Sequence, residues 1–234
     1  MRAILFDLDG TLADSFHLIV GTMRRVFERA GLPVPDERAV QGVIGLSLAT
    51  AIHRLTPSTP KGEIETLADL YRTTFHEIRN DPAMEERLFP GIEPMLHALA
   101  ARENALLGIV TGKSRRGVRI VTQKYGIETL FQAVRTADDC PSKPDPSMVL
   151  ECCAELGIDA SQAIVVGDSI YDMQMARAAG AGALGVSWGA GTLEALTQAG
   201  ADRVVTDVAS LTQALLAFVD GRDASSSERT RARA

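Results

Sequence analysis

The chain has 234 residues, a formal net charge of −6 and a sequence pI of about 5.3. That length suits one large domain, or a core with a smaller insert. An acidic chain lacks the basic face of a typical nucleic-acid binder, and no apolar stretch approaches the length of a membrane span. We therefore expect neither nucleic acid nor a membrane among its partners.

The cysteines and the first residues of the chain indicate in which cellular compartment the protein is expected. Cys140, Cys152 and Cys153 do not form the pattern of a disulfide framework, and ordinary reduced thiols are expected. The acidic Asp7 comes too early for the start of the chain to be a signal peptide. Both observations favour a cytoplasmic protein.

The first patterned stretch ends in two carboxylates. Residues 4–11 read ILFDLDGT, an apolar strand followed by a turn. Side chains alternate along a strand, so Asp7 and Asp9 are predicted to project to the same side, and Gly10 permits the tight turn. Two carboxylates at a buried strand end repel each other, so a cation or a proton must offset the cost of desolvating them. The alternative is a strand end with two solvated acids.

Helical periodicity dominates residues 15–86 and predicts an all-helical insert. Asp14 or Ser15 is expected to cap the first helix, which Gly31 ends. The stretch 42–47, GVIGLS, follows no predicted strand, so it is interpreted as a loop between helices. Further helices are predicted from Asp36, over 48–55 and over 64–78.

Strands alternate with helices after the insert, which predicts a mostly parallel sheet with helices on both faces. We expect an α/β fold, a Rossmann-like three-layer sandwich, with residues 1–14 and 87–220 as the core and 15–86 as the insert. Residues 221–234 have no apolar period and are predicted to be a disordered tail. The predicted strands are 105–110, 133–134, 163–166, 183–186 and 203–205; the predicted helices are 92–100, 116–125, 147–156, 170–179, 192–199 and 208–219.

Chemically suggestive residues stand at the carboxyl ends of these strands, where such folds bind ligands. The Thr111 hydroxyl could bind a phosphoryl oxygen or cap a helix. Lys143 lies in a stretch stiffened by prolines, although a single lysine is more often solvated. Asp168 and Asp172 lie one helical turn apart; they could share a ligand or form an acidic first turn.

Four segments in order resemble the signatures of the haloacid dehalogenase superfamily. They are DLDGTL at 7–12, Thr111, Lys143 and GDSIYD at 167–172. The resemblance covers nearly the whole chain except the last dozen or so residues. LADS at 12–15, TGKS at 111–114 and the insert are most similar to the phosphoglycolate-phosphatase-like branch.

The resemblance implies roles for the matching residues. Asp7 would be the nucleophile that forms an aspartyl-phosphate, and Asp9 the general acid and then the general base. Lys143 would neutralise Asp7 and the transferred phosphoryl group. The insert would be the family's helical cap, which closes over the site. The implied substrate-binding residues are Gly10, Gly45, Ser47, Thr111 and Gly112.

The resemblance also implies Mg²⁺ as the cofactor. Its ligands would be the Asp7 carboxylate, the Asp9 carbonyl oxygen and Asp168, which fits the preference of Mg²⁺ for a few carboxylates with water and phosphate. Asp172 and Ser169 would orient the waters and ligands around the ion.

The expected function is that of a Mg²⁺-dependent phosphatase acting on a small phosphorylated metabolite, a phosphomonoester of the phosphoglycolate type. Asp9 separates the chain from the metal-free dehalogenases of the superfamily, which lack it. Two alternatives stay open: a sugar-phosphate mutase of the β-phosphoglucomutase type and a phospho-receiver signalling domain. The substrate's identity is open too, and the protein could be a monomer or a small homo-oligomer.

Overall fold

A computed structural model describes residues 1–79 and 84–222 of the chain. Its main feature is a six-stranded sheet in the order β5-β4-β1-β6-β7-β8, in which every pair of neighbouring strands is parallel. The strands of this sheet are β1 (Arg2–Phe6), β4 (Ala105–Val110), β5 (Ala133–Arg135), β6 (Ala163–Gly167), β7 (Gly182–Val186) and β8 (Arg203–Val205).

Strand β1 lies at the centre of the sheet, where the strand order changes direction. It pairs with β4 on one side and with β6 on the other. A crevice forms at such a point, outside the carboxyl ends of the strands, and it is the usual ligand site of parallel sheets. The predicted α/β fold is confirmed.

Helices cover both faces of the sheet because β1 alternates its side chains between two apolar cores. Ile4 and Phe6 pack into one core and Ala3 and Leu5 into the other. Helices α5 (Ile92–Ala100), α6 (Arg115–Lys124) and α10 (Val208–Val219) cover the first face, and α7 (Ser147–Leu156), α8 (Ile170–Ala179) and α9 (Leu193–Gln198) cover the second.

The insert is helical and has an apolar core of its own. Val26, Phe27 and Ile52 are buried there, in a cluster separate from the two cores that flank the sheet. Its second helix starts from an N-cap at Asp36, as predicted, and the Asp36 side chain caps that helix by accepting from the Ala39 N–H at 2.7 Å. The helices are α1 (Phe16–Arg29), α2 (Glu37–Gln41), α3 (Leu48–Leu55) and α4 (Lys61–Arg79).

Two short strands, which the sequence did not predict, flank the insert. Strand β2 (Ala13–Asp14) pairs antiparallel with β3 (Arg87–Leu88), so the chain leaves and rejoins the core at one place. Two-residue strands are too short to show an alternating pattern. Ser15 is at the N-cap position of α1 but its buried hydroxyl makes no capping hydrogen bond, so the predicted cap is wrong for this residue.

The remaining expectations concern the tail and the membrane. The predicted disordered tail lies outside the described residues, apart from Gly221 and Arg222. Among the described helices, none combines the length and the apolar character needed to cross a bilayer.

Candidate active site

The chain after β1 places Asp7 and Asp9 at the crevice of the sheet. The strand ends at Phe6, so the alternation used in the prediction does not extend to Asp9. The Asp7 N–H still donates to the Val166 carbonyl at 2.9 Å, which fixes Asp7 against β6. Both carboxylates line one cavity of about 420 Å³ between the sheet and the insert, but they have different cationic partners.

Lys143 is buried beside Asp7, as the sequence predicted. Its Nζ atom lies 3.0 Å from Asp7 Oδ1 and 2.5 Å from Asp172 Oδ1. None of its side chain is exposed to solvent. A lysine that is merely solvated would not be buried in this way, so the geometry excludes that alternative.

The start of α8 supplies two more buried carboxylates. Asp172 forms a capping box with Ser169, whose N–H and hydroxyl both donate to Asp172 Oδ2. Because Lys143 donates to Oδ1, both oxygens of Asp172 are already bonded. Asp168 accepts from the Thr11 hydroxyl at 2.8 Å and from the Ala190 N–H at 2.7 Å.

Asp7, Asp168 and Asp172 offer carboxylate oxygens that all lie within 4.8 Å of one another. We call these three residues with Lys143 the Lys143 cluster. Burial raises the pKa of Asp7 to about 7 despite the opposing charge of Lys143. Burial, followed by the repulsion of Asp7 and Asp172, raises the pKa of Asp168 to about 8. Burial alone would lower the pKa of Lys143, but Asp172 and Asp7 outweigh it and raise the value.

The Lys143 cluster fits a divalent cation. Three carboxylates face one ammonium group, and Asp7 Oδ2 is buried with no hydrogen-bond partner among the described residues. A buried carboxylate oxygen without a partner is costly, and a dication bound to it would remove that cost. Of these three carboxylates, only Asp7 has a buried oxygen without a hydrogen bond among the described residues, whereas both oxygens of Asp168 and of Asp172 accept hydrogen bonds.

Asp9 contacts a second charged group, which the sequence did not predict. Lys113 Nζ lies 2.8 Å from Asp9 Oδ1 and 2.9 Å from Glu86 Oε1. We call these three residues the Lys113 cluster. Lys113 directly follows Thr111-Gly112 in a segment that the sequence had singled out, which is the one signal for it. Glu86 has no such signal, because it meets Lys113 only through the fold.

The predicted phosphate and substrate residues are only partly brought together. Thr111, Gly112, Gly45 and Ser47 line the same cavity as Asp7 and Asp9. Gly10 instead lines a separate cavity of about 240 Å³ next to Asp168.

The loop at 42–47 reaches the core by close backbone contact. A Cβ atom at Gly112 would lie 2.5 Å from the Leu46 carbonyl oxygen, and one at Gly45, whose φ is +95°, would lie 2.7 Å from the Ser169 hydroxyl. Side chains at these positions would therefore push the loop away from the sheet. Tyr171 adds a hydrogen bond to this contact by donating to the Gly42 carbonyl at 2.7 Å.

Comparison with known proteins identifies the family. The family model described as haloacid dehalogenase-like hydrolase matches residues 4–186. The chain belongs to this family. The match extends from the first strand of the sheet through β7 and includes all four segments that carried the resemblance.

Individual relatives cover most of this haloacid dehalogenase-like hydrolase. A phosphoglycolate phosphatase from Chromobacterium violaceum is 32% identical, over 90% of this chain and 95% of its own length. An N-acetylmuramic acid 6-phosphate phosphatase from Pseudomonas aeruginosa is 30% identical, over 81% of this chain and 83% of its own. The crystal structure of a hydrolase from Pseudomonas syringae matches with a TM-score of 0.82 and 25% identity, over 92% of this chain and 98% of that one.

These relatives bear on three of the predictions. The predicted membership of the phosphoglycolate-phosphatase-like branch is confirmed, and so is the enzyme class, a phosphoric monoester hydrolase. The family match excludes the alternative of a phospho-receiver signalling domain. The roles of the individual site residues stay predictions.

Proposed function

We propose that this hydrolase is a Mg²⁺-dependent phosphatase that cleaves a small phosphorylated metabolite, of the phosphoglycolate type, through an aspartyl-phosphate. The observation that carries the proposal is the setting of Asp7. Its carboxylate is buried at the central strand end, is ion-paired to Lys143 at 3.0 Å and faces a cavity large enough for a metabolite. A fixed anionic nucleophile beside a fixed cation is what attack on a phosphoryl group needs.

In the first step an oxygen of Asp7 bonds to phosphorus while the bond from phosphorus to the leaving oxygen breaks. Asp9 gives that oxygen its proton, so the alcohol leaves neutral. Lys143 faces Asp7 and offsets the negative charge that gathers at the transferred group. Thr111 and Gly112, which line the cavity beside Asp7, are positioned to hold the phosphoryl oxygens.

In the second step Asp9, now a carboxylate, takes a proton from water as the water oxygen attacks phosphorus. The bond between Asp7 and phosphorus breaks, which releases phosphate and restores the Asp7 carboxylate. The insert covers the cavity from the other side with the loop at 42–47, including Gly45 and Ser47. This cover limits the access of bulk water to the reacting groups.

Asp7, the Asp9 carbonyl oxygen and Asp168 would hold the Mg²⁺ ion. When bound, the ion would supply positive charge for the carboxylates and for the phosphoryl oxygens. Ser169 and Asp172 support this site from α8, where Asp172 is held through both of its oxygens.

The direct test is phosphate release from a panel that includes phosphoglycolate, N-acetylmuramic acid 6-phosphate and hexose phosphates. We expect release that stops on chelation with EDTA and returns with Mg²⁺, whereas Ca²⁺ supports it poorly because of its larger, looser coordination shell. Full activity after exhaustive chelation would refute the metal requirement. A product that appears only with a sugar bisphosphate activator, without free phosphate, would indicate a mutase instead.

A further inference from the structure

The Lys113 cluster contains two residues, Lys113 and Glu86, that have no role in the proposed chemistry. One ammonium group lies 2.8 Å from Asp9 and 2.9 Å from Glu86. The side chains of Lys113, Asp9 and Glu86 are only 9%, 13% and 3% exposed. Ion pairs this well shielded from solvent hold their geometry much better than pairs on the surface do.

The three residues come from different parts of the chain. Asp9 follows β1, Lys113 follows β4, and Glu86 lies just before β3, where the chain returns from the insert. The ring of Phe75, on α4 of the insert, lies 5.5 Å from the Lys113 ammonium. Lys113 therefore links Asp9 to the segment that joins the insert to the core, and to the insert itself.

Lys113 is held independently of Asp9. Glu86 Oε1 accepts from Lys113, and Glu86 Oε2 is buried without a hydrogen-bond partner among the described residues. Glu86 therefore anchors the Lys113 ammonium through a contact that does not involve Asp9.

We infer that Lys113, anchored by Glu86, is a positioning residue that fixes the Asp9 carboxyl group in the cavity: its ammonium donates to Asp9 Oδ1 and leaves Oδ2 for proton transfer. This inference rests on the proposed function, in which Asp9 transfers the proton. Lys113 itself acts through Asp9 and needs no bond to the substrate. A displacement of about 1 Å of a catalytic group is enough to slow a reaction by on the order of 10²-fold, so a side chain that holds Asp9 matters for the rate.

The variant Lys113→Met keeps the length of the side chain and removes its charge. With the best alkyl phosphate of the panel we expect kcat to fall about 10- to 100-fold while KM changes less than about threefold. Glu86→Gln should lower kcat less, again without a change in KM. Lys113→Arg, which retains the positive charge, should recover part of the lost rate.

Lys124→Met is the matched control. Lys124 also donates to this part of the chain, to Glu85 Oε1 and to the Glu86 carbonyl, both at 2.8 Å, but it does not line the cavity. If the rate depended only on the stability of the linker at 85–86, Lys124→Met would lower kcat as Lys113→Met does. We expect kcat unchanged in this control.

A double-mutant cycle with 4-nitrophenyl phosphate provides the decisive test, because Asp9→Asn should retain measurable turnover on that substrate. If Lys113 acts only through Asp9, Lys113→Met should add less than about a threefold loss in the Asp9→Asn background. Losses that multiply would overturn the inference, as would a rise in KM at constant kcat, which would make Lys113 a substrate-binding residue.

Thermal unfolding of each variant separates loss of the fold from loss of positioning. If Lys113→Met does not fold, Lys113→Arg and Glu86→Gln replace it in the cycle under the same criteria. Absence of phosphate release by the wild-type protein would contradict the proposed function itself. Wild-type release with an unaffected Lys113→Met protein would contradict only this inference.

Discussion

Lys143 and Lys113 each lie between two carboxylates, yet the two sites differ in what holds them. Asp7 follows β1, Lys143 lies in the loop between β5 and α7, and Asp172 lies in α8; their side chains are at most 1% exposed. The partners of Lys113 include Glu86 at the connection to the insert, and Phe75 of the insert lies near its ammonium. The charged partners of the proposed nucleophile thus all come from the core, whereas those of the proposed acid include a residue at the connection to the insert.

The two sites also differ in charge balance. The Lys143 cluster contains three carboxylates for one ammonium group, whereas the Lys113 cluster contains two for one. We therefore expect the first cluster to need a further cation, which Mg²⁺ would supply in the proposed function. The second cluster has one carboxylate fewer to neutralise. Four experiments test this difference between the two sites.

Asp7→Asn should have the largest effect because it removes the anionic nucleophile while conserving the shape of the side chain. We expect kcat to fall on the order of 10⁴- to 10⁶-fold, as for other enzymes that lose their nucleophile. Phosphate release is the measurement, with thermal unfolding as the check that the variant is folded. Near-wild-type turnover by a folded Asp7→Asn protein would remove Asp7 from the mechanism.

Asp9→Asn should be selective, because proton transfer matters most for poor leaving groups. With alkyl phosphates we expect a loss of about 10²- to 10⁴-fold, and a smaller loss in the first step with 4-nitrophenyl phosphate. Stopped-flow measurement with the aryl substrate should then show a burst followed by slow turnover, since the aspartyl-phosphate loses its general base. Equal slowing of both substrates with no burst would rule out the acid–base role.

Lys143→Met compares the two lysines directly. We expect kcat to fall about 10²- to 10³-fold, the usual result of removing one fixed electrostatic group from an active site. The substitution also leaves Asp7 and Asp172 buried without their counter-ion, which typically lowers the free energy of unfolding by about 3–5 kcal/mol. Kinetics and urea unfolding beside Lys113→Met measure both effects. If Lys113→Met proved the more damaging of the two, the ranking of the two sites would be reversed.

The fourth experiment measures how the stability of the protein depends on pH. In the folded metal-free protein the pKa of Asp7 is about 7 and that of Asp168 about 8, against an ordinary value of 3.8. The folded state therefore binds more protons than the unfolded chain between about pH 4 and pH 8, so stability falls as pH rises through this window. Thermal unfolding in EDTA at several pH values should show this decline, and Mg²⁺ should reduce it. Asp168→Asn should flatten the decline; a slope unchanged by this substitution would contradict the assignment.

Much of the fold and part of the candidate site follow from local sequence pattern. The strands of the sheet read as short apolar runs, and a parallel sheet collects the residues at their carboxyl ends. This is why Asp7, Thr111 and Asp168 could be placed at one crevice without coordinates. Lys143 was harder to predict, because only the resemblance distinguished it from a solvated lysine.

The rest depends on contacts between distant parts of the chain. Glu86 lies 27 residues from Lys113, and nothing in its neighbourhood marks it as a partner. The close approach of Gly45 to Ser169 is likewise set by how the insert docks on the core. Asp9 lies beyond the strand, which ends at Phe6, so the turn and not strand alternation decides the direction of its side chain, although Asp7 and Asp9 do line one cavity.

The short ribbon of β2 and β3 has a consequence for how such enzymes diverge. Ala13 pairs with Leu88 and Asp14 with Arg87, so both ends of the insert are fixed side by side. A block attached in this way can be lengthened, shortened or exchanged without altering the span that the core must close. Under the proposed function, replacing this one contiguous segment would change the residues beside the substrate, while the strand ends that carry the proposed catalytic residues would stay the same.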